Sequence, residues 1–138
     1  MNLSQCCVFM GGLLTILMGL FHTRFYKLFL WRDEFTRISE RSRSIIYTIH
    51  LALLLLFFGL GAISLFYYRR LAEVQDISLG VLIVFALFWL WRAVWQAIYF
   101  KPSKNRRLRK YLITHYLLII WFILLFIVYM VPLMIHLF

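Results

Sequence analysis

The chain has 138 residues, of which 64% are hydrophobic, 20% aromatic and only 14% charged. A soluble domain has about 25% charged residues, so a mean hydropathy of +0.88 excludes the ordinary soluble classes and points to a polytopic membrane protein. The net charge of +10 is no nucleic-acid signature in such a chain, because membrane proteins concentrate Lys and Arg in the short loops of one side.

Four apolar runs are predicted as helices. They cover about Cys6 to Phe25, Ile45 to Tyr68, Ser78 to Phe100 and Tyr111 to Phe138. Each is near or above the about 20 residues that cross about 30 Å of hydrocarbon. Membrane spans are helices or closed barrels, and barrel strands are about 10 residues long with alternating polarity. The run from Leu51 to Phe58 does not alternate. The expected fold is therefore all-α, a single four-helix transmembrane bundle over residues 1–138. Met1 to Gln5 lacks a basic segment and no Ala-x-Ala site follows, so the first span is expected to be retained rather than cleaved as a signal.

Along the chain, Gly11, Thr15 and Gly19 recur every four residues, a small-residue stripe that permits close helix approach. Cys6 and Cys7 form no Cys-x-x-Cys pair and read as small apolar fillers. After His22, Phe21, Phe25, Leu28, Phe35 and Ile38 approximate one helical stripe. That segment either continues the helix or bends along the interface, where Trp31 suits the aromatic belt. Asp33 and Arg37 have helix-supporting spacing, and Ser39, Ser42 and Ser44 are candidate caps for the second helix. Gly59, Gly61, Ala62 and Ser64 form a second close-packing patch. Pro132 is placed to kink or fray the last turn of the fourth helix.

Loop charge gives the expected orientation. The first loop and its flanks carry Arg24, Lys27, Arg32, Arg37, Arg41 and Arg43. The third carries Lys101, Lys104, Arg106, Arg107, Arg109 and Lys110, and the second only Arg69 and Arg70. Loops one and three are therefore expected in the cytoplasm and both termini outside, as in a bacterial inner (plasma) membrane. The basic third loop also suits contact with anionic lipids.

The strongly polar residues inside the spans are few: His22, His50, Arg92 with Gln96, and His115, one site per helix. Helix rise puts His50 about 10 Å past Arg43, His115 about 7.5 Å past Lys110 and Arg92 about 13 Å before Lys101. A single layer near the cytoplasmic face is expected. Polar side chains in hydrocarbon are costly and mark sites.

Three readings compete for that layer. Histidines from different helices would bind a haem b iron, or a metal with Gln96 completing the shell. Alternatively the layer binds a quinone or lipid headgroup, with Arg92 meeting negative charge and Trp89, Trp91, Trp95 and Tyr99 as an aromatic wall. In the third reading the residues only hydrogen-bond across helices or reach to the interface. No Asp or Glu lies in any span, so Arg92 needs Asp33, Glu34 or Glu40 folded back from the first loop, or an anion from elsewhere. Proton-coupled exporters that rely on a membrane carboxylate are disfavoured for the same reason. No nucleophile elbow, phosphate loop or HExxH motif is present. His136 lies on the order of 30 Å from His115 and belongs to the other face. The expected role is an accessory, anchor or assembly subunit, in contact with other membrane subunits or copies of itself. A haem- or quinone-binding electron-transfer subunit is the alternative, and a small oligomeric transporter a third possibility.

Overall fold

A computed structural model describes residues 1–28, 35–100 and 109–138. Six α-helices are described: α1 Leu3–His22, α2 Phe25–Leu28, α3 Glu40–Phe66, α4 Tyr68–Leu71, α5 Ile77–Tyr99 and α6 Arg109–Leu137. A 3-10 turn covers Phe35–Arg37, and no strand occurs among the described residues. Four helices, α1, α3, α5 and α6, are long and apolar enough to cross a membrane. The chain is an all-α, multi-pass membrane protein. Trp31, the Asp33–Arg37 pair and the basic residues from Lys101 to Arg107 lie outside or partly outside the described residues.

The helix ends follow local chemistry. Asn2 and Gln5 form a reciprocal capping box, with the Gln5 amide N–H donating to Asn2 Oδ1 at 2.8 Å and the Asn2 N–H to Gln5 Oε1 at 3.2 Å. That satisfies two of the free N–H groups that open a helix and starts α1 at Leu3. At its other end Thr23 Oγ1 donates to the Leu20 carbonyl at 2.6 Å. The chain turns there and resumes as the short α2. Ser39 caps α3, accepting the Ser42 N–H at 3.2 Å. Ser44 and Thr48 donate to carbonyls four residues back in their own helix. These bonds let α3 begin at Glu40, before its apolar run. Arg43 Nη2 donates to the Phe35 carbonyl at 2.8 Å and holds Phe35 against Tyr47.

In the bundle α1 packs along both α3 and α6, and α5 packs along α6. The spatial order is therefore α3, α1, α6, α5. The two outer members, α3 and α5, meet through large side chains, with Phe57 on α3 against Phe88 and Trp89 on α5.

Gly11, Gly19 and Gly61 stand at close approaches between helices, whereas Gly59, expected to join the second patch, has open space beside it. A Cβ on Gly61 would stand 2.6 Å from Ile16 Cδ1 and 3.1 Å from the Gly12 carbonyl. One on Gly11 would stand 2.8 Å from Cζ of Tyr129. Tyr129 is fully buried where the helices converge. Its hydroxyl pairs with Ser64 at 2.8 Å and lies 3.4 Å from Thr15, which also donates to the Gly11 carbonyl. Phe85 meets the Tyr129 ring edge-on. Each of the four long helices thus contributes to this one junction. Pro132 is buried inside α6, and the helix continues past it to Leu137. At the end of the bundle remote from His22, His50 and His115, buried Leu71 and Val74 close the core. There Val74 and Asp76 take left-handed φ values of 52° and 47°.

Candidate functional site

His22 is the last residue of α1 and is only 3% exposed. Because the chain turns at Thr23 and Arg24, Phe25 folds back onto it, and the two rings stack at 3.9 Å. His22 also lies beside His50 of α3, with centroids 5.6 Å apart and planes at 16°, and Phe25 is within 6.3 Å of the His50 ring. It also meets the edge of Phe57 at 4.9 Å. The His50 ring reaches the backbone of His22, where the end of a helix leaves carbonyls without helical partners. The Nδ1 of His22 is buried and has no hydrogen-bond partner among the described residues.

Gln96 and His115 form a second pair, joining α5 to α6. Both are buried, and Gln96 Nε2 donates to His115 Nδ1 at 3.1 Å. In that arrangement a neutral His115 carries its proton on Nε2.

Arg92 stands one helical turn deeper than Gln96 on α5. Its guanidinium lies over the rings of Phe122 at 5.2 Å and Trp91 at 5.8 Å, a favourable placement for a desolvated cation. It takes no hydrogen bond or ion pair among the described residues. The salt bridge found there joins Arg70 to Glu73. Glu40 does not fold back to Arg92, and Asp33 and Glu34 lie outside the described residues. Its Nε is buried and has no partner among the described residues, and the residue as a whole is half-buried. Arg92 is also close enough for its charge to act on the His22 ring.

Between these groups runs a stack of three near-parallel rings. Phe57 lies 5.6 Å from Trp89, and Trp89 lies 5.7 Å from Phe122. His22 flanks the Phe57 end and Arg92 the Phe122 end. The indole nitrogen of Trp89 is a further buried donor without a partner among the described residues.

The five polar residues named from sequence thus occur as two pairs and one cation, and aromatic rings link the His22–His50 pair to Arg92. No group of three His, Cys, Asp or Glu side chains suited to a metal converges among the described residues. The expected aromatic wall divides in two. Trp89 is fully buried in the core. Trp91, Trp95 and Tyr99 form a partly exposed ladder along another face of α5, with successive rings 5.7 and 3.9 Å apart. Tyr129 and the cushion role of Phe122 were not expected. Extending the buried stripe of α6 from His115 through Leu118, Phe122 and Leu125 at helical spacing leads directly to Tyr129. Comparison with known proteins finds no matching family model, no matching curated protein and no matching solved structure.

Proposed function

We propose that the chain is an accessory or anchor subunit of a membrane complex, without catalytic machinery of its own. Its polar layer holds an anionic or oxygen-bearing ligand, a lipid headgroup or a quinone, in the leaflet that faces the cytoplasm. The observation that carries this reading is Arg92, a guanidinium inside the bundle with no carboxylate beside it among the described residues. Such a cation seeks a carboxylate, backbone carbonyls or a ligand. Other features support the accessory role. Only 17% of the membrane-spanning stretch of α3 is buried, which leaves apolar surface for neighbours or lipid. The basic residues of loops one and three support a cytoplasmic position for those loops in a bacterial inner membrane.

Native mass spectrometry of protein extracted in mild detergent tests the reading. The expected result is a retained small-molecule mass on the wild-type chain that is lost in Arg92→Gln and kept in Arg92→Lys. Equal retention by all three proteins overturns it. The runner-up, a haem b subunit, is favoured by the side-by-side His22 and His50. A Soret band in the purified protein that disappears in His50→Ala would move the assignment to it.

A further inference from the structure

Resting on the ligand-holding role proposed above, we infer that the ligand is a quinone, held between α3 and α5 with a ring oxygen at Arg92 and its ring against Trp91. Three features of the site separate this class from a phospholipid headgroup.

The first is depth. Arg92 is seven residues from Tyr99, the end of α5, or about 10 Å along the axis. Cα–Cβ bonds tilt toward a helix's N-terminus, and α5 begins at Ile77, on the far side of the membrane. The side chain therefore starts out pointing away from the nearer interface. The guanidinium does not turn back to the level of Gln96 and His115. It rests on Phe122, two helical turns inward from His115. Half of the hydrocarbon core is about 15 Å thick, so a phosphate would have to sink most of that distance to reach the cation. A quinone ring already resides in hydrocarbon.

The second is hydrogen-bond sense. Among the described residues, the buried nitrogens without partners on or beside the members of the ring stack include Arg92 Nε, Trp89 Nε1, His22 Nδ1 and, from the residue next to Phe122, Trp121 Nε1. Guanidinium and indole nitrogens only donate, and a neutral imidazole nitrogen donates in one of its tautomers. Quinone oxygens only accept. No described carboxylate is available to meet the ammonium of a zwitterionic lipid.

The third is shape. Trp91 is 51% exposed and borders the guanidinium at 5.8 Å, so it offers a flat aromatic face beside the charge. Planar rings stack favourably on such a face. Phe88 lies 6.4 Å from Trp91 and 6.2 Å from Phe57, which closes the seam on its deeper side.

The test reconstitutes the full chain in phosphatidylcholine nanodiscs and titrates decylubiquinone, following tryptophan fluorescence. Quinone partitioned in lipid quenches without saturating, whereas a site saturates at one equivalent. The expected result is saturable quenching, weakened at least tenfold in Arg92→Gln, partly restored in Arg92→Lys and unchanged in Arg69→Gln. Native mass spectrometry then reads which species is retained when decylubiquinone, phosphatidylglycerol or inorganic phosphate is supplied. Retention of phosphatidylglycerol in place of quinone overturns the quinone assignment and keeps the ligand-holding role. Arg92-dependent binding of inorganic phosphate does the same. Retention of none of the three, with non-saturating quenching, overturns both. If Arg92→Gln does not fold, saturation and competition in the wild-type chain decide the matter.

Discussion

Replacing Tyr129 by Phe and Gly11 by Ala tests how the four helices are locked together. Tyr129→Phe removes one 2.8 Å bond to Ser64 and one long contact at 3.4 Å to Thr15. Neither partner is stranded outright. Thr15 keeps the Gly11 carbonyl, and Ser64 is free to turn to a carbonyl of its own helix, as serines in helices do. Cross-helix hydrogen bonds in membrane proteins average about 0.6 kcal/mol and reach about 1.7, so the expected loss is about 1 kcal/mol. Gly11→Ala acts differently. Its new Cβ would lie 2.8 Å from Cζ of Tyr129 and 3.1 Å from both Cε atoms. Such contacts force the ring to shift and give up the Ser64 bond. Overpacking of this kind costs about 1–3 kcal/mol, to which the hydrogen bond adds. The expected total is about 2–3 kcal/mol. Phe at position 129 keeps the colliding ring atoms, so the double variant Gly11→Ala with Tyr129→Phe remains as destabilised as Gly11→Ala alone. Replacing the ring as well, by Tyr129→Leu, lowers the cost of the alanine. Unfolding in mixed detergent and SDS micelles, followed by tryptophan fluorescence, gives the four values. If Gly11→Ala costs less than Tyr129→Phe, the ring is not wedged against α1 and the reasoning fails.

Other expectations concern the loops and the second polar pair. Asp76 holds φ 47° and ψ −121° without making a side-chain cap bond, a conformation suited to glycine. Asp76→Gly should raise stability by about 1 kcal/mol in the same unfolding assay, and a loss would contradict the strain. Val74→Gly relieves a similar φ but removes a buried side chain, worth about 1.5–3 kcal/mol, so it should destabilise. A double-mutant cycle of Gln96→Leu with His115→Leu should return a coupling of about 0.6–1.7 kcal/mol; additive effects would deny the α5–α6 bond. In a background lacking Cys6 and Cys7, Ser103→Cys and Gln75→Cys should react with a membrane-impermeant maleimide from opposite sides, the former from the cytoplasm. Reaction of both from one side would refute the four-span topology.

The spans were legible because hydropathy and length are properties of the chain alone. The helix ends were less so. Hydropathy places the start of the second helix at Ile45, but Ser39 caps it and the hydroxyls of Ser44 and Thr48 turn to carbonyls of their own helix. The polar turn is therefore helical from Glu40. The first helix begins at Leu3 because Asn2 and Gln5 cap it reciprocally, a local signal that a search for apolar runs passes over. Within α5 the spacing separates Trp89 from the line of Trp91, Trp95 and Tyr99. Which of those faces turns inward depends on α6 lying alongside, and helix order is not written in periodicity. The same limit applies to the polar layer. Helix rise gave depths for His50, His115 and Arg92, but that Gln96 meets His115 and His22 meets His50 is seen only in the structure. Their division into two pairs follows from α1 lying between α3 and α6.

Arg92 also shows why depth alone is an incomplete description of a charge in a membrane helix. An arginine on α3 or α6, which enter the bilayer from the basic loops, would tilt its side chain back toward those loops and reach the interface easily. On α5, which arrives from the opposite side, the same residue at the same depth begins with its side chain tilted toward the bilayer centre. The bundle then receives it with the rings of Phe122 and Trp91. Rings offset about 2 kcal/mol or more of a desolvated cation's cost, against the about 2.5–3.5 kcal/mol that an arginine costs at mid-helix. What the rings leave unmet is the hydrogen-bonding capacity of Arg92 Nε, Trp89 Nε1 and His22 Nδ1, none of which has a partner among the described residues, and those are the groups the proposed ligand would have to engage.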